Sequence, residues 1–279
     1  MKIIISHDVD HLYPSDHILR DLIYPKLWIR SLINIFRREI SISVFIYRLL
    51  SIFESKTNKI YEILQYDKEN GIPSVFFFGM DNALGMSYKK DKTIKYIEYI
   101  KEQGYDVGVH GVNYTDSEKM FYEYMSFKEI SGMESFGMRM HYVRYDSDTF
   151  NKLSNIGYIF DCSYFNKKEI EYKAPYKVGD MWEFPLHIMD GYILVEGNLE
   201  KSKHNTMVAF NNAIASGIPY LTILFHDRYF NDKQYPIDKA WYEWLIEYLK
   251  CNGHEFISYR YAIEEMENSK SDRERINLC

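Results

Sequence analysis

Four short segments of this 279-residue chain place carboxylates and imidazoles directly after apolar runs: His7-Asp8-Val9-Asp10-His11, His110, Arg139-Met140-His141 and His226-Asp227. Alternate residues of an extended segment share a face, so Asp8 and Asp10 are expected to point one way and His7 and His11 the other. Two carboxylates that close repel unless something positive lies beside them. A divalent cation held by Asp10 and His110 would leave Asp8 free to act as a base. Mixed oxygen and nitrogen donors suit Zn2+, with Fe, Co and Mn as alternatives. Arg139 could pair with Asp8 and keep it ionised, while His226 on the opposite side could give a proton to a leaving group, with Asp190 or Asp227 to orient it. A lone histidine after a strand is more often structural, but four such endings on one rim point to chemistry.

The elements that must bring these residues together follow from apolar periodicity. Strands are expected at Lys2–Ser6, Ile72–Met80, Tyr105–Val109, Met138–Val143, Tyr158–Ser163, Trp182–Ile188, Tyr220–Phe225 and Glu255–Ser258. Most are too uniformly apolar to have one face in water, as in a buried parallel sheet. Helical spacing appears between them, over Lys92–Gln103 before Gly104 and over Lys239–Lys250. This alternation predicts an α/β fold, a deformed (β/α) barrel of seven or eight units, in which ligand-facing residues sit past the C-terminal ends of the strands. One barrel domain is expected over residues 1–268, followed by a frayed polar tail at 269–279.

Residues 12–59 break the rhythm and read as a helical insertion after the first strand. Its segment 20–48 holds six basic residues (Arg20, Lys26, Arg30, Arg37, Arg38, Arg48) against Asp21 and Glu39, within a chain of formal charge −6. The plainer expectation is a cap whose apolar face packs on the barrel. The other is peripheral contact with a membrane surface.

Composition narrows the function further. An acidic chain does not suit a general nucleic-acid binder, and there is no G-x-G-x-x-G or G-x-x-x-x-G-K phosphate loop. Cys162, Cys251 and Cys279 are too far apart for a zinc finger and suit a reducing compartment. The N-terminus lacks the apolar core of a secretion signal, so a cytoplasmic protein is expected, at the inner face of the membrane if the insertion touches it.

Taken in order, these segments resemble the motifs of the polysaccharide deacetylases, carbohydrate esterase family 4. SHDVD (Ser6–Asp10) resembles the first motif, GVHGVNY (Gly108–Tyr114) the second, RMHY (Arg139–Tyr142) the third and LTILFHD (Leu221–Asp227) the fifth, while DMWEFP (Asp180–Pro185) is a loose match to the fourth. The resemblance implies Asp8 as general base, Asp10 and His110 as metal ligands, Arg139 as the residue tuning the base and His226 as general acid. It implies hydrolysis of an N-acyl group, most simply N-acetyl, on a sugar or oligosaccharide during cell-surface polysaccharide biosynthesis, and a backbone N–H near Tyr142 as oxyanion donor.

One position departs from the pattern. Where the second motif places another histidine, this chain has Tyr114, a poor zinc ligand with its ordinary pKa near 10. His141, two residues after Arg139 on the same strand face, is the best replacement, ahead of Asn113, His7 and His11. Without a third ligand the metal would be held weakly by two protein ligands and water, or be absent; the alternatives to a metal-dependent deacetylase are a non-catalytic saccharide-binding protein of the same fold and a metal-independent hydrolase of small amides. Tyr142, Trp182 and Tyr229 lie beside motif residues and are the aromatics expected to meet substrate.

Overall fold

The computed structural model describes residues 1–17 and 21–276, with side chains described through residue 269. Arg20, part of the basic insertion, and Cys279 lie outside them. Among the described residues nine strands form one sheet: β1 (Lys2–Val9), β2 (Val75–Gly79), β3 (Asp106–Gly111), β4 (Met138–Met140), β5 (Phe160–Asp161), β6 (Tyr176–Val178), β7 (Met181–Glu183), β8 (Ile188–Met189) and β9 (Tyr220–Leu224). Their order is β6-β7-β5-β4-β3-β2-β1-β9-β8, and every pair except β6·β7 is parallel.

The connectivity forces the sheet to curl. Glu183 ends β7 near one edge and Ile188 begins β8 at the other. Seven strand spacings separate them, about 34 Å across a flat sheet, whereas five residues reach at most about 17 Å. The sheet must roll until Phe184–His187 can cross the gap. Phe184 N–H donates to the Asp161 carbonyl (2.8 Å) on one side, and His187 N–H to the Thr222 carbonyl (3.3 Å) on the other. The single strand expected at Trp182–Ile188 is therefore two strands, β7 next to one edge and β8 at the other, with Pro185, which lacks an N–H, between them. The strand expected at Glu255–Ser258 shrinks to one bridge, Ile3 with Phe256.

Both faces of the sheet are covered. Phe76 and Phe78 pack outward with Ile97, Ile100 and Leu245, while Phe77 packs inward with Phe160, Trp182 and Tyr259. The outer layer comprises α3 (Ile60–Asn70), α4 (Ile94–Glu102), α5 (Ser117–Ser131), α6 (Thr149–Ile156), the short α7 (Asp190–Ile193), α8 (Leu199–Ala215) and α9 (Pro236–Cys251). The last helix, α10 (Tyr259–Ile276), sends Tyr259 and Ala262 into the inward cluster. It carries helix through most of the polar segment expected to fray.

The insertion holds α1 (Ile23–Phe36) and α2 (Ile42–Leu50), and it overturns the expectation that its apolar face packs inward. The residues α1 buries are Tyr24, Ser31 and Asn34, and those α2 buries are Val44 and Arg48. Arg48 explains the inversion: its Nε donates to the Gln234 carbonyl (2.8 Å) and its Nη2 pairs with Glu196 (2.9 Å), so the polar side anchors the insertion. Gly197 completes the anchor, since a Cβ there would lie 2.2 Å from the Glu39 carbonyl oxygen.

Candidate metal centre and active site

The C-terminal ends of β1, β3, β4 and β9 meet at one cleft of about 500 Å³. Asp8 and Asp10 both face it. His7 turns away, clamped between the Phe225 carbonyl (Nδ1, 2.8 Å) and the Asp67 carboxylate (Nε2, 2.9 Å). His11 does not follow the alternation, because β1 ends at Val9; it lines the cleft instead. There its Nδ1 meets His17 Nε2 (2.9 Å), and His17 Nδ1 donates to Asp21 (2.7 Å), which also accepts from Ser87 Oγ (2.8 Å).

Asp10, His110 and His141 form a near-equilateral triangle. His110 Nε2 lies 3.2 Å from Asp10 Oδ1, His141 Nδ1 lies 3.3 Å from that oxygen, and the two nitrogens are 3.2 Å apart. The outer nitrogens fix the tautomers. A carbonyl only accepts, so His110 Nδ1 must donate to Arg139 O (3.0 Å) and His141 Nε2 to Leu84 O (3.0 Å). In the neutral rings the inner nitrogens then carry lone pairs, both facing an anionic oxygen, and Asp10 Oδ1 is buried with no hydrogen bond.

Three converging lone-pair atoms are unfavourable unless a proton or cation joins them. Burial disfavours the Asp10 carboxylate, but the His141 charge and the approach of His110 outweigh it and hold Asp10 well below the usual range. Burial likewise lowers His141, and Asp10 more than reverses that. The spacing fits a metal: donors about 2.05 Å from a tetrahedral centre stand about 3.3 Å apart. These residues could therefore hold a divalent cation of the Zn2+ type.

Asp8 sits beside the triangle, its Oδ2 3.7 Å from His110 Nε2. Its Oδ1 accepts from Arg139 Nη1 (2.9 Å), and Arg139 is itself fixed by the Cys162 carbonyl (Nε, 3.2 Å), Ser6 Oγ (Nη2, 2.7 Å) and the Phe77 ring below. Burial would raise the Asp8 carboxyl; Arg139, with His110 and His226 assisting, holds it below the ordinary value. On the far side His226 Nε2 stands 3.7 Å from Asp10 Oδ2, and its Nδ1 donates to the buried Asp190 carboxylate at 2.9 Å. Asp190 also accepts from the His226 backbone N–H (2.6 Å). Burial lowers the imidazole, but Asp190 dominates and pushes it up to about 10. Asp227 is engaged elsewhere, accepting from the Lys59 N–H at 2.8 Å.

β4 stops at Met140, yet His141 reaches the same site as Arg139 two residues earlier, as the strand alternation predicts. A tight turn with positive φ at Tyr142 (59°) and Val143 (46°) follows it. Such backbone costs about 1–3 kcal/mol per residue and persists where the surroundings enforce it. Tyr142 and Tyr229 line the cleft. Trp182 does not: at 4% exposure it belongs to the inward core and donates its indole N–H to Glu267 (3.3 Å). Tyr114 is packed against the outer core, and Asn113 bonds Glu123 (2.9 Å). Leu84 O and Ser6 were not legible from spacing, since their contacts join segments distant in sequence, with Leu84 contributing a backbone atom; the His11–His17–Asp21 chain is local, six and four residues apart, but lies in irregular backbone after β1, where no period marks it. Among the described residues no helix is long and apolar enough to cross a membrane.

No family model and no curated protein matches this sequence. Solved structures do. A protein from Mycobacterium smegmatis described as a polysaccharide deacetylase superposes with a TM-score of 0.61 at 14% identity, over 96% of this chain and 90% of that one. PuuE allantoinase gives 0.61 at 15% identity, over 94% and 88%. A GH57-type branching enzyme from Pyrococcus horikoshii gives 0.52 at 9%, over 95% and 70%. At these identities the likeness is one of fold: the chain is an α/β protein with the curled-sheet fold of the polysaccharide deacetylase and allantoinase structures.

Proposed function

We propose that the protein is a metal-dependent amidohydrolase that removes an N-acyl group, most simply N-acetyl, from a sugar or oligosaccharide used in cell-surface polysaccharide biosynthesis. The observation that carries the metal-dependent reading is the Asp10–His110–His141 triangle, with both outer imidazole nitrogens committed to carbonyls and the inner ones free. Zn2+ is the ion this donor set favours. Bound there, a divalent cation would acidify water and polarise an amide carbonyl.

The chain's own groups supply the rest. Asp8, kept ionised by Arg139, takes a proton from the attacking water through Oδ2, the oxygen Arg139 does not occupy. The water oxygen bonds to the amide carbon, whose oxygen gains negative charge, and a backbone N–H near Tyr142, the donor the family resemblance implies, would stabilise that charge. His226, protonated and held by Asp190, delivers its proton to the amide nitrogen as the C–N bond breaks. Carboxylic acid and free amine result. A cation beside His226 would draw its raised pKa down toward the working range of an acid catalyst. Tyr142 and Tyr229 offer ring faces to a sugar in the cleft.

The test is release of acetate from N-acetylated amino sugars before and after chelation. Activity abolished by chelator and restored by Zn2+ supports this reading. Activity that survives chelation and His110→Ala supports metal-free amide hydrolysis instead. Saccharide binding without turnover, in a protein that takes up no metal, supports a non-catalytic role.

A further inference from the structure

The insertion turns its apolar side to solvent. On α1 the exposed residues Ile29, Leu32, Ile33 and Phe36 recur at i, i+3, i+4 and i+7, one continuous stripe, and Phe36 is 87% exposed. On α2 Ile42, Ile46, Leu49 and Leu50 recur at i, i+4, i+7 and i+8, followed by Phe53 at 83%. This is the regular amphipathic period of a core-facing helix with the faces exchanged. A stripe of this kind left in water costs free energy and marks a surface that something covers.

Charge identifies the occupant. Arg30, Arg37 and Arg38 stand beside the stripe and form no ion pair among the described residues, although the chain as a whole is acidic at −6. Apolar residues flanked by unpaired arginines complement an anionic bilayer surface, where rings and aliphatic chains enter the acyl boundary and guanidinium groups meet phosphates. A second copy meeting this face by two-fold symmetry would set arginine near arginine, which is unfavourable.

The same helix borders the cleft. Lys26 and Arg30 of α1 line it together with Arg228, whose buried Nε has no hydrogen-bond partner. Asp21, at the foot of α1, is tied through His17 to His11 beside Asp10. We infer that the α1–α2 insertion docks its outward apolar face into an anionic lipid surface and so holds the mouth of the cleft at headgroup level. Its corollary, which rests on the amidohydrolase reading, is that the saccharide is carried on a phosphate-bearing lipid.

The test is co-sedimentation of the full chain with phosphatidylglycerol-containing vesicles and with pure phosphatidylcholine vesicles, alongside its mass in solution. Wild type is expected to sediment with the anionic vesicles and to lose binding as salt rises. Phe36→Ser with Phe53→Ser should abolish sedimentation. Arg30→Glu, Arg37→Glu and Arg38→Glu together should weaken it about a hundredfold or more, at roughly fivefold per basic residue near such a surface. Metal content serves as the fold control, since neither set alters a residue of the triangle. No sedimentation of wild type, or sedimentation unchanged in both variants, overturns docking. A solution dimer that Phe36→Ser with Phe53→Ser dissolves, without vesicle binding, also overturns it and assigns the face to a second copy. The sedimentation and mass readouts need no turnover, so failure of docking leaves the hydrolase reading standing, and the converse holds. Inorganic phosphate that inhibits hydrolysis equally with and without vesicles would assign the cleft's basic residues to a soluble phosphate-bearing substrate and remove the lipid corollary.

Discussion

The Asp10–His110–His141 triangle and the insertion both border one cleft and are built in opposite ways. Around the triangle nearly every polar atom has a fixed partner: Arg139 joins Ser6, Asp8 and the Cys162 carbonyl, Asp190 grips His226 twice, and Leu84 and Arg139 carbonyls orient the two imidazoles. Among the exceptions are the inward-facing Asp10 Oδ1 and, in the same cleft, Arg228 Nε. The insertion has few anchors, chiefly Arg48 with Glu196, the Gln234 carbonyl, and the close approach of Glu39 to Gly197, and it leaves its apolar residues outside. Over-determined polar contacts fix a geometry for chemistry, whereas a sparsely anchored apolar face suits a surface that yields to its partner. Substitutions should therefore act through chemistry or folding on one side and through association on the other.

The largest effect is expected at Asp8. Asp8→Asn should keep the metal and lose about 10²–10⁴ in kcat, the usual worth of a positioned base; a loss below tenfold would assign the proton to another group. Next comes Arg139→Ala, which leaves a buried carboxylate uncompensated and should cost about 3–5 kcal/mol in urea unfolding. If stability is unchanged, the network is not the rigid support described.

Asp190→Asn should act on pH dependence. With its pKa raised, His226 stabilises the native metal-free protein fully below the ordinary histidine value, and this contribution is lost as pH rises through about 10. The fall in Tm of the chelated protein between pH 7 and 10 should be shallower in Asp190→Asn, and the alkaline limb of kcat should move to lower pH. Coincident profiles would sever the Asp190–His226 link. The smallest effect is expected outside the cleft: Phe36→Ser should change unfolding stability by no more than about 0.5 kcal/mol, since it removes no buried contact. A much larger loss would mean that the stripe is packed.

The sequence carried one side of this comparison better than the other. Strand-end placement and period 2 were enough to bring Asp8, Asp10, His110, Arg139 and His226 together, because uniformly apolar runs such as Val75–Gly79 leave few ways to build the sheet. His141 was nameable from the strand face it shares with Arg139, but the left-handed turn that follows it was not, since Tyr142 has no residue-type preference for positive φ. Trp182 shows the reverse error: proximity to a motif in sequence suggested contact, and burial under α10 decided otherwise. In the insertion the helical period of Ile29, Leu32, Ile33 and Phe36 was visible, but periodicity says only that a stripe exists. Which way it faces depended on Arg48 finding Glu196, 148 residues away.

Asp10, His110 and His141 are expected to hold one cation together. Metal content of the purified protein after incubation with Zn2+, measured by plasma mass spectrometry for wild type and for Asp10→Ala, His110→Ala and His141→Ala, tests it without any substrate. The account predicts about one equivalent in the wild type and loss in all three variants, as expected of a three-residue ligand set. A wild type that binds no metal, or a folded His141→Ala protein that binds it as well as wild type does, would contradict it.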